Sequence, residues 1–141
     1  MKVSDILRSK GNHIYWIAPE STVYDALHIM GEKNIGALLV LVNDQLRGIF
    51  SERDYARKIV LKGKTSFDTL VQEIMTENVI TIHPDDTLEH CMEVMSENHI
   101  RHLPVLRERE VCGVISITDV VTAIIESQKE TIEYLHNYIG Q

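Results

Sequence analysis

Apolar positions along the chain follow two rhythms, one helical and one extended, and the pair occurs twice in the same order. After Thr22, the residues Val23, Ala26, Leu27 and Met30 recur at i, i+3, i+4 and i+7, the stripe of an amphipathic helix with a threonine N-cap. Ala37 to Val42 is a continuous apolar run of strand length, Asn43-Asp44-Gln45 makes a turn, and Leu46 to Phe50 returns as the second strand of a hairpin. After Thr87, Leu88, Cys91, Met92 and Met95 repeat the helical stripe. Arg101 to Leu106, Arg107 to Glu110 and Val111 to Ile115 then repeat strand, turn and strand. A short strand precedes each helix, Ile14 to Ala18 and Val79 to His83, and the edge of the hairpin is the nearest place for it to pair. Each unit reads β-α-β-β-α.

The repetition extends to the residues themselves. Pro19 to Arg57 lies over Pro84 to Thr122 without a gap at an offset of 65, with 11 identical pairs in 39 positions. Upstream, Val3-Ser4-Asp5-Ile6-Leu7 resembles Val71-Gln72-Glu73-Ile74-Met75, the first copy being longer by three residues before its first strand. This predicts an α/β (α+β) chain of two βαββα repeats, 1–67 and 68–141, the second carrying an extended C-terminal helix. One unit is too small to cover both faces of its sheet, so the copies are expected to pack with pseudo-twofold symmetry over a joint core, with Met30, Met75, Met92 and Met95 as pliable filling.

Composition narrows the function. The net charge of −7 leaves no long-range field for a nucleic acid or an anionic membrane, so any phosphate must be held by local groups. The longest apolar stretch, Ala37 to Val42, is too short to span a bilayer, and the chain is expected to be cytoplasmic. Cys91 and Cys112 sit inside apolar segments, which fits a reducing compartment, and the seven histidines lack the spacings that preorganise zinc, so no metal is expected.

Chemistry concentrates where strand gives way to helix. Gly48-Ile49-Phe50-Ser51-Glu52-Arg53-Asp54 is echoed by Gly113-Val114-Ile115-Ser116-Ile117-Thr118-Asp119. Ser-x-x-Asp before an apolar run is a capping-box pattern and needs no ligand to explain it. Two features argue for more. A glycine three residues before each serine lets a backbone approach closely, and the two turns can face a shared cleft beside the pseudo-twofold axis. A helix N-terminus offers free N–H groups to a phosphate, and an aspartate can accept from both hydroxyls of a ribose.

With these motifs in view the whole chain resembles a tandem pair of cystathionine β-synthase (CBS) domains: two prolines before capped helices, two G-h-h-S-x-x-D turns (h apolar), S-E-R-D-Y-A-R in the first copy and R-H-L-P-V in the second. The resemblance implies a discoid regulatory module, often a homodimer, that binds AMP, ADP, ATP, NAD or S-adenosylmethionine between the repeats. It places Asp54 and Asp119 on ribose, and Ser51 and Ser116 near phosphate with Thr118 beside them. It also puts Arg101 and His102, ahead of Leu103-Pro104, close to phosphate. The copies differ here, since Gly36-Ala37-Leu38-Leu39 stands where the second has Arg101-His102-Leu103-Pro104, and two equally strong sites are not expected. Arg53 partly compensates in the first turn, although Arg53, Arg57 and Lys58 also fit a solvated helix face. Ile80 and Ile82, with Trp16 and Ile17 as their counterparts, could line an adenine slot, Trp16 fitting core or dimer packing equally well.

The helix from Asp119 outruns its counterpart, which stops near Gly63. Its Val121, Ile125, Ile132, Leu135 and Ile139, with Gln128 between, form a seam at spacings of four and three that asks for a partner, either a second subunit, which is favoured, or the body of its own module, with Tyr134 and Tyr138 at the flank. Three functions follow. The first is an adenine-nucleotide sensor that signals through its dimer or an effector protein. The second is a ligand-independent dimeric scaffold. The third and weakest is an enzyme, for which no nucleophile with an adjacent base, no paired-acid site and no P-loop is visible.

Overall fold

In a computed structural model that describes residues 1–11 and 13–140, the repeat is visible in the order of elements. The first copy comprises α1 (Val3–Lys10), β1 (Trp16–Ile17), α2 (Val23–Lys33), β2 (Ala37–Val42), β3 (Gln45–Ser51) and α3 (Glu52–Asp54). The second comprises α4 (Val71–Ile74), α5 (Leu88–Asn98), β4 (His102–Arg107), β5 (Glu110–Ser116) and α6 (Ile117–Ile139). Thr22 and Thr87 cap α2 and α5 as their pattern demands, each hydroxyl accepting an N–H at 3.1 Å. Both helices end on a residue in the left-handed region, Asn34 (φ 53°) and His99 (φ 54°), which turns the chain toward the hairpin.

The hairpins β2–β3 and β4–β5 are antiparallel, and each has a bulge at the same place, between Val40 and Leu41 and between Val105 and Leu106. Asn43 (φ 50°) and Asp44 (φ 64°) form the tight turn of the first. β1 lies parallel to the edge of β2, Trp16 opposite Leu39. The strand expected over Val79 to His83 is reduced to one parallel bridge between Ile82 and Val105. Pro104 accounts for the loss: in the first copy Leu39 donates its N–H to Tyr15, and the proline at the matching position has none to give.

The joint core anticipated from the repeat does not form; two separate clusters do, and each is completed by the other copy. Val3 and Ile6 of α1 are buried with Ile82, Leu88, Cys91, Met95, Leu103, Val105, Ile115 and Val120 of the second copy. Val71 and Ile74 of α4 are buried with Ile17, Val23, Ala26, Met30, Leu38, Val40, Phe50 and Ile59 of the first. Backbone bonds seal the exchange symmetrically: Ser4 N–H to Pro84 C=O at 2.9 Å and Gln72 N–H to Pro19 C=O at 3.0 Å. The two motif glycines serve this exchange. A Cβ on Gly113 would stand 2.7 Å from Leu7 Cδ2, and one on Gly48 2.7 Å from Met75 Sδ, so each glycine is the notch that admits the other copy's leading segment rather than a ligand. Met30 and Met95 are buried, and Met75 and Met92 pack on the two clusters.

The helices after the two turns diverge. α3 passes into a π-helical stretch, Tyr55–Val60, and the chain turns away at Gly63, whose φ of +69° glycine adopts without the strain a side chain would bring. α6 runs for 23 residues. Ile117, Val120, Ala123 and Ile124 pack on the second cluster, but Ile125, Ile132, Leu135 and Ile139 stand in solvent, the last 80 % exposed. Beyond Ile124 the seam finds no partner among the described residues.

Candidate functional site

Both strand-to-helix turns are complete capping boxes. Ser51 Oγ accepts the Asp54 N–H at 3.3 Å, while Asp54 Oδ2 accepts the Ser51 N–H at 2.9 Å and its hydroxyl at 3.0 Å. In the second turn Ser116 Oγ accepts the Asp119 N–H at 3.1 Å and Asp119 Oδ2 accepts the Ser116 N–H at 2.8 Å. Each carboxylate also carries a lysine. Lys58 Nζ lies 3.0 Å from Asp54 Oδ1, and the Thr76 hydroxyl donates to the same oxygen at 3.2 Å. Lys10 Nζ lies 2.6 Å from Asp119 Oδ2. Burial alone would raise the Asp119 carboxyl, but the hydrogen bonds from Lys10 and from the Ser116 backbone outweigh it and hold the group below the ordinary carboxylate range.

Although the acids turn toward their own backbone, side chains do not fill the grooves they border. The first cleft, about 440 Å³, brings together Ser51, Arg53, Asp54, Ile80, Arg101 and His102. Ile49, Val79 and Ile80 give it an apolar wall, and Arg53 reaches across it to donate to the His99 carbonyl, tying the first copy's turn to the end of the second copy's helix. The second cleft, about 570 Å³, is lined by Ser116, Thr118 and Asp119 with Tyr15, His13, Asn34 and Gly36. Among the described residues no arginine stands on its wall; its lysine is Lys10. His102 lines both clefts, its imidazole Cε1 3.1 Å from where a Cβ on Gly36 would stand. Burial, more than the opposing pull of Glu52, lowers its pKa and favours the neutral ring.

Not every residue singled out from the sequence faces a cleft. Ile82 is committed to the second core cluster, Pro104 is buried with its carbonyl bound to the Ile82 N–H, and neither lines a cleft. The adenine slot suggested for Ile80 and Ile82 thus rests on Ile80 with Val79. Ile17 is core and Trp16, 51 % exposed, lies outside both clefts. Arg57 is on the exposed helix face, and Lys58 turns back to Asp54 and the Ile74 carbonyl.

Sequence reasoning missed Thr76, Tyr15 and Lys10. Thr76 is bridged to Ile49, which brings its hydroxyl to Asp54, and Tyr15 stands where the second copy has Ile80, with Lys33 Nζ 5.6 Å from its ring centre. Lys10 sits in α1 beyond the point at which α4 stops, 109 residues from the Asp119 it meets, and no sequence signal links the two. Among the described residues no group of three or more His, Cys, Asp or Glu side chains is placed to hold a metal ion, and no helix is long and apolar enough to cross a membrane. Cys91 is fully buried, its thiol pushed up to about 11 by burial and the nearby Asp86.

Comparison with known proteins agrees with this architecture. Residues 3–61 and 71–126 each match the CBS domain. A mitochondrial CBS domain-containing protein of Arabidopsis thaliana, CBSX3, is 39 % identical over 146 residues, covering 97 % of this chain and 71 % of the relative. A solved Burkholderia ambifaria protein with CBS domains superposes with a TM-score of 0.87 at 44 % identity, covering 91 % of this chain and 96 % of that one. A hexameric CBS-CP12 protein from bloom-forming cyanobacteria superposes with a TM-score of 0.77 at 25 % identity over 86 % of this chain and 69 % of its own. The chain also matches 23 % of the length of a Methanosalsum zhilinae homoserine O-acetyltransferase, at 36 % identity over 120 residues.

Proposed function

The chain belongs to the CBS-domain family, two domains in tandem, and from that premise we propose that it is a regulatory, non-enzymatic module that binds an adenine nucleotide in the first inter-repeat cleft. One observation carries the reading: a single cleft collects a carboxylate and a serine from one copy's turn, two arginines from opposite copies, and an apolar wall. The parts match the parts of a nucleotide. Arg53 and Arg101 supply the forked donors that hold phosphate. Ile49, Val79 and Ile80 offer an apolar face to the base, and a ribose hydroxyl would take the place of the Thr76 hydroxyl on Asp54 Oδ1. AMP, ADP, ATP and NAD share the base and ribose and differ in how far the phosphates reach toward Arg101.

Thermal melting with AMP, ATP and NAD tests the reading. A ligand at a hundredfold excess over its Kd stabilises the native state by about 2.7 kcal/mol, so a rise of several degrees is expected in the wild type and a much smaller one in Arg101→Ala and Asp54→Asn. Equal rises in all three proteins would remove the nucleotide from this cleft.

The exposed seam of α6 supports a second part of the proposal, that the module acts as a homodimer. Ile125, Ile132, Leu135 and Ile139 leave one helix face unpartnered, and the cyanobacterial relative is hexameric. Sedimentation should show Ile132→Asp and Leu135→Asp dissociating to monomers. The match to part of a larger acetyltransferase supports a module that passes its signal to other proteins. The alternative, a ligand-independent scaffold, draws on the complete capping boxes and the lysines already seated on both aspartates; it predicts no change of melting with any nucleotide.

A further inference from the structure

We infer that Lys10 decides which cleft accepts a nucleotide: it occupies the carboxylate of the second cleft from the cleft side, so that one chain takes up one nucleotide, in the first cleft. The inference rests on the nucleotide reading above. Lys10 stands in the last turn of α1, and burial of Val3 and Ile6 in the second copy's core fixes that helix against the second turn. Its Nζ is shared between Asp119 Oδ2 at 2.6 Å and the Val114 carbonyl at 2.8 Å. Asp119 is 22 % exposed at its side chain, and Lys10 lines the cleft beside it, so a ribose that needs both carboxylate oxygens meets the ammonium on Oδ2. A ribose hydroxyl reaching that oxygen would have to displace the ammonium, exchanging a bond charged on both sides for one charged only on the carboxylate.

The first cleft is built the other way round. Lys58 reaches Asp54 from four residues further along the same helical segment, is anchored to the Ile74 carbonyl, and does not line the cleft. The side-chain donors to Asp54 from residues lining the cleft are neutral hydroxyls, those of Thr76 and Ser51. Aligning the leading segments, Val3 with Val71, puts Asn78 where the first copy has Lys10, and Asn78 lines the first cleft without a charge. The longer α1, against an α4 that ends at Ile74, is what carries a lysine into one cleft and leaves the other open.

Equilibrium dialysis with labelled AMP counts the sites. Wild type and Lys10→Arg should each bind one equivalent, Lys10→Met should bind two, and Lys10→Met with Asp119→Ala should return to one. Circular dichroism confirms that each variant is folded. Two equivalents in wild type, or a loss of sites in Lys10→Met, would overturn the inference by making Lys10 a phosphate ligand. One equivalent in both wild type and Lys10→Met would overturn it while leaving the first-cleft proposal intact. No binding by either would overturn both, and a single site that appears only in Lys10→Met would overturn the first-cleft proposal and with it the single occupancy inferred for the wild type.

Discussion

The two clefts are built from the same turn, the same capping box and the same bulged hairpin, yet they differ in which side of the carboxylate meets a cation. In the first, Lys58 braces Asp54 away from the cleft while Arg53 and Arg101 face into it. In the second, Lys10 faces in and is spent on Asp119. Duplication supplied two equal scaffolds, and a few residues outside the duplicated turns, Lys10, Arg101 and Thr76, made them unequal. The lesson is that symmetry of backbone predicts where sites can be, and the charges brought in by flanking segments decide which of them can work.

The largest expected effect separates the clefts directly. A hydrogen bond to a charged group is worth about 1.5–3 kcal/mol, so Arg101→Ala should weaken AMP binding by roughly 10- to 100-fold, whereas Thr118→Ala should leave it within about twofold. Similar losses in both, measured by dialysis, would mean that the clefts share the ligand.

Next come the glycine notches. Overpacking a fitted core costs about 1–3 kcal/mol. Gly48→Ala belongs at the upper end, because its Cβ would meet the Thr76 carbonyl at 3.0 Å as well as Met75. Gly113→Ala belongs near the lower end, since the end of the Leu7 side chain can move aside. Urea denaturation should rank them in that order; the reverse order would mean that α1, not α4, is the more rigidly seated segment.

The caps should not discriminate. Ser51→Ala and Ser116→Ala are each expected to cost about 1 kcal/mol, and a large inequality in urea midpoints would show that one serine does more than cap.

The smallest effect is in acid. The His102 pKa lies below its ordinary 6.5, so as pH falls below that value the unfolded chain takes up a proton before the native one does, and stability declines. Asp119, held below its ordinary 3.8, adds stability that is present above that value and lost as pH falls through the lower folded one. His102→Gln should therefore flatten the decline just below pH 6.5 and leave the carboxylate step in place. An unchanged profile in the variant would remove His102 from the account.

Much of this architecture was legible because it is local. Thr22 and Thr87 announce their helices, and the apolar runs at Ala37 and Leu103 fix the hairpins whatever surrounds them. The capping pattern placed Ser51, Asp54, Ser116 and Asp119 at helix starts, and their repetition placed them at two clefts. What stayed hidden depends on contacts between distant segments. The exchange of α1 and α4 between cores cannot be read from one copy's periodicity: Gly48 and Gly113 read as points of close backbone approach in support of a ligand, and they make room instead for Met75 with the Thr76 backbone, and for Leu7. Pro104 was read as part of a binding motif, and its missing N–H instead shortens the strand through Ile82. Lys10 lies 109 residues from the aspartate it meets, a separation at which spacing carries no information.

The central claim is that a nucleotide enters one cleft and not its twin. A crystal grown with AMP tests it most directly: the account predicts ligand density between Asp54 and Arg101, with Lys10 still on Asp119. Density against Asp119 with Lys10 displaced, and none beside Arg101, would contradict it.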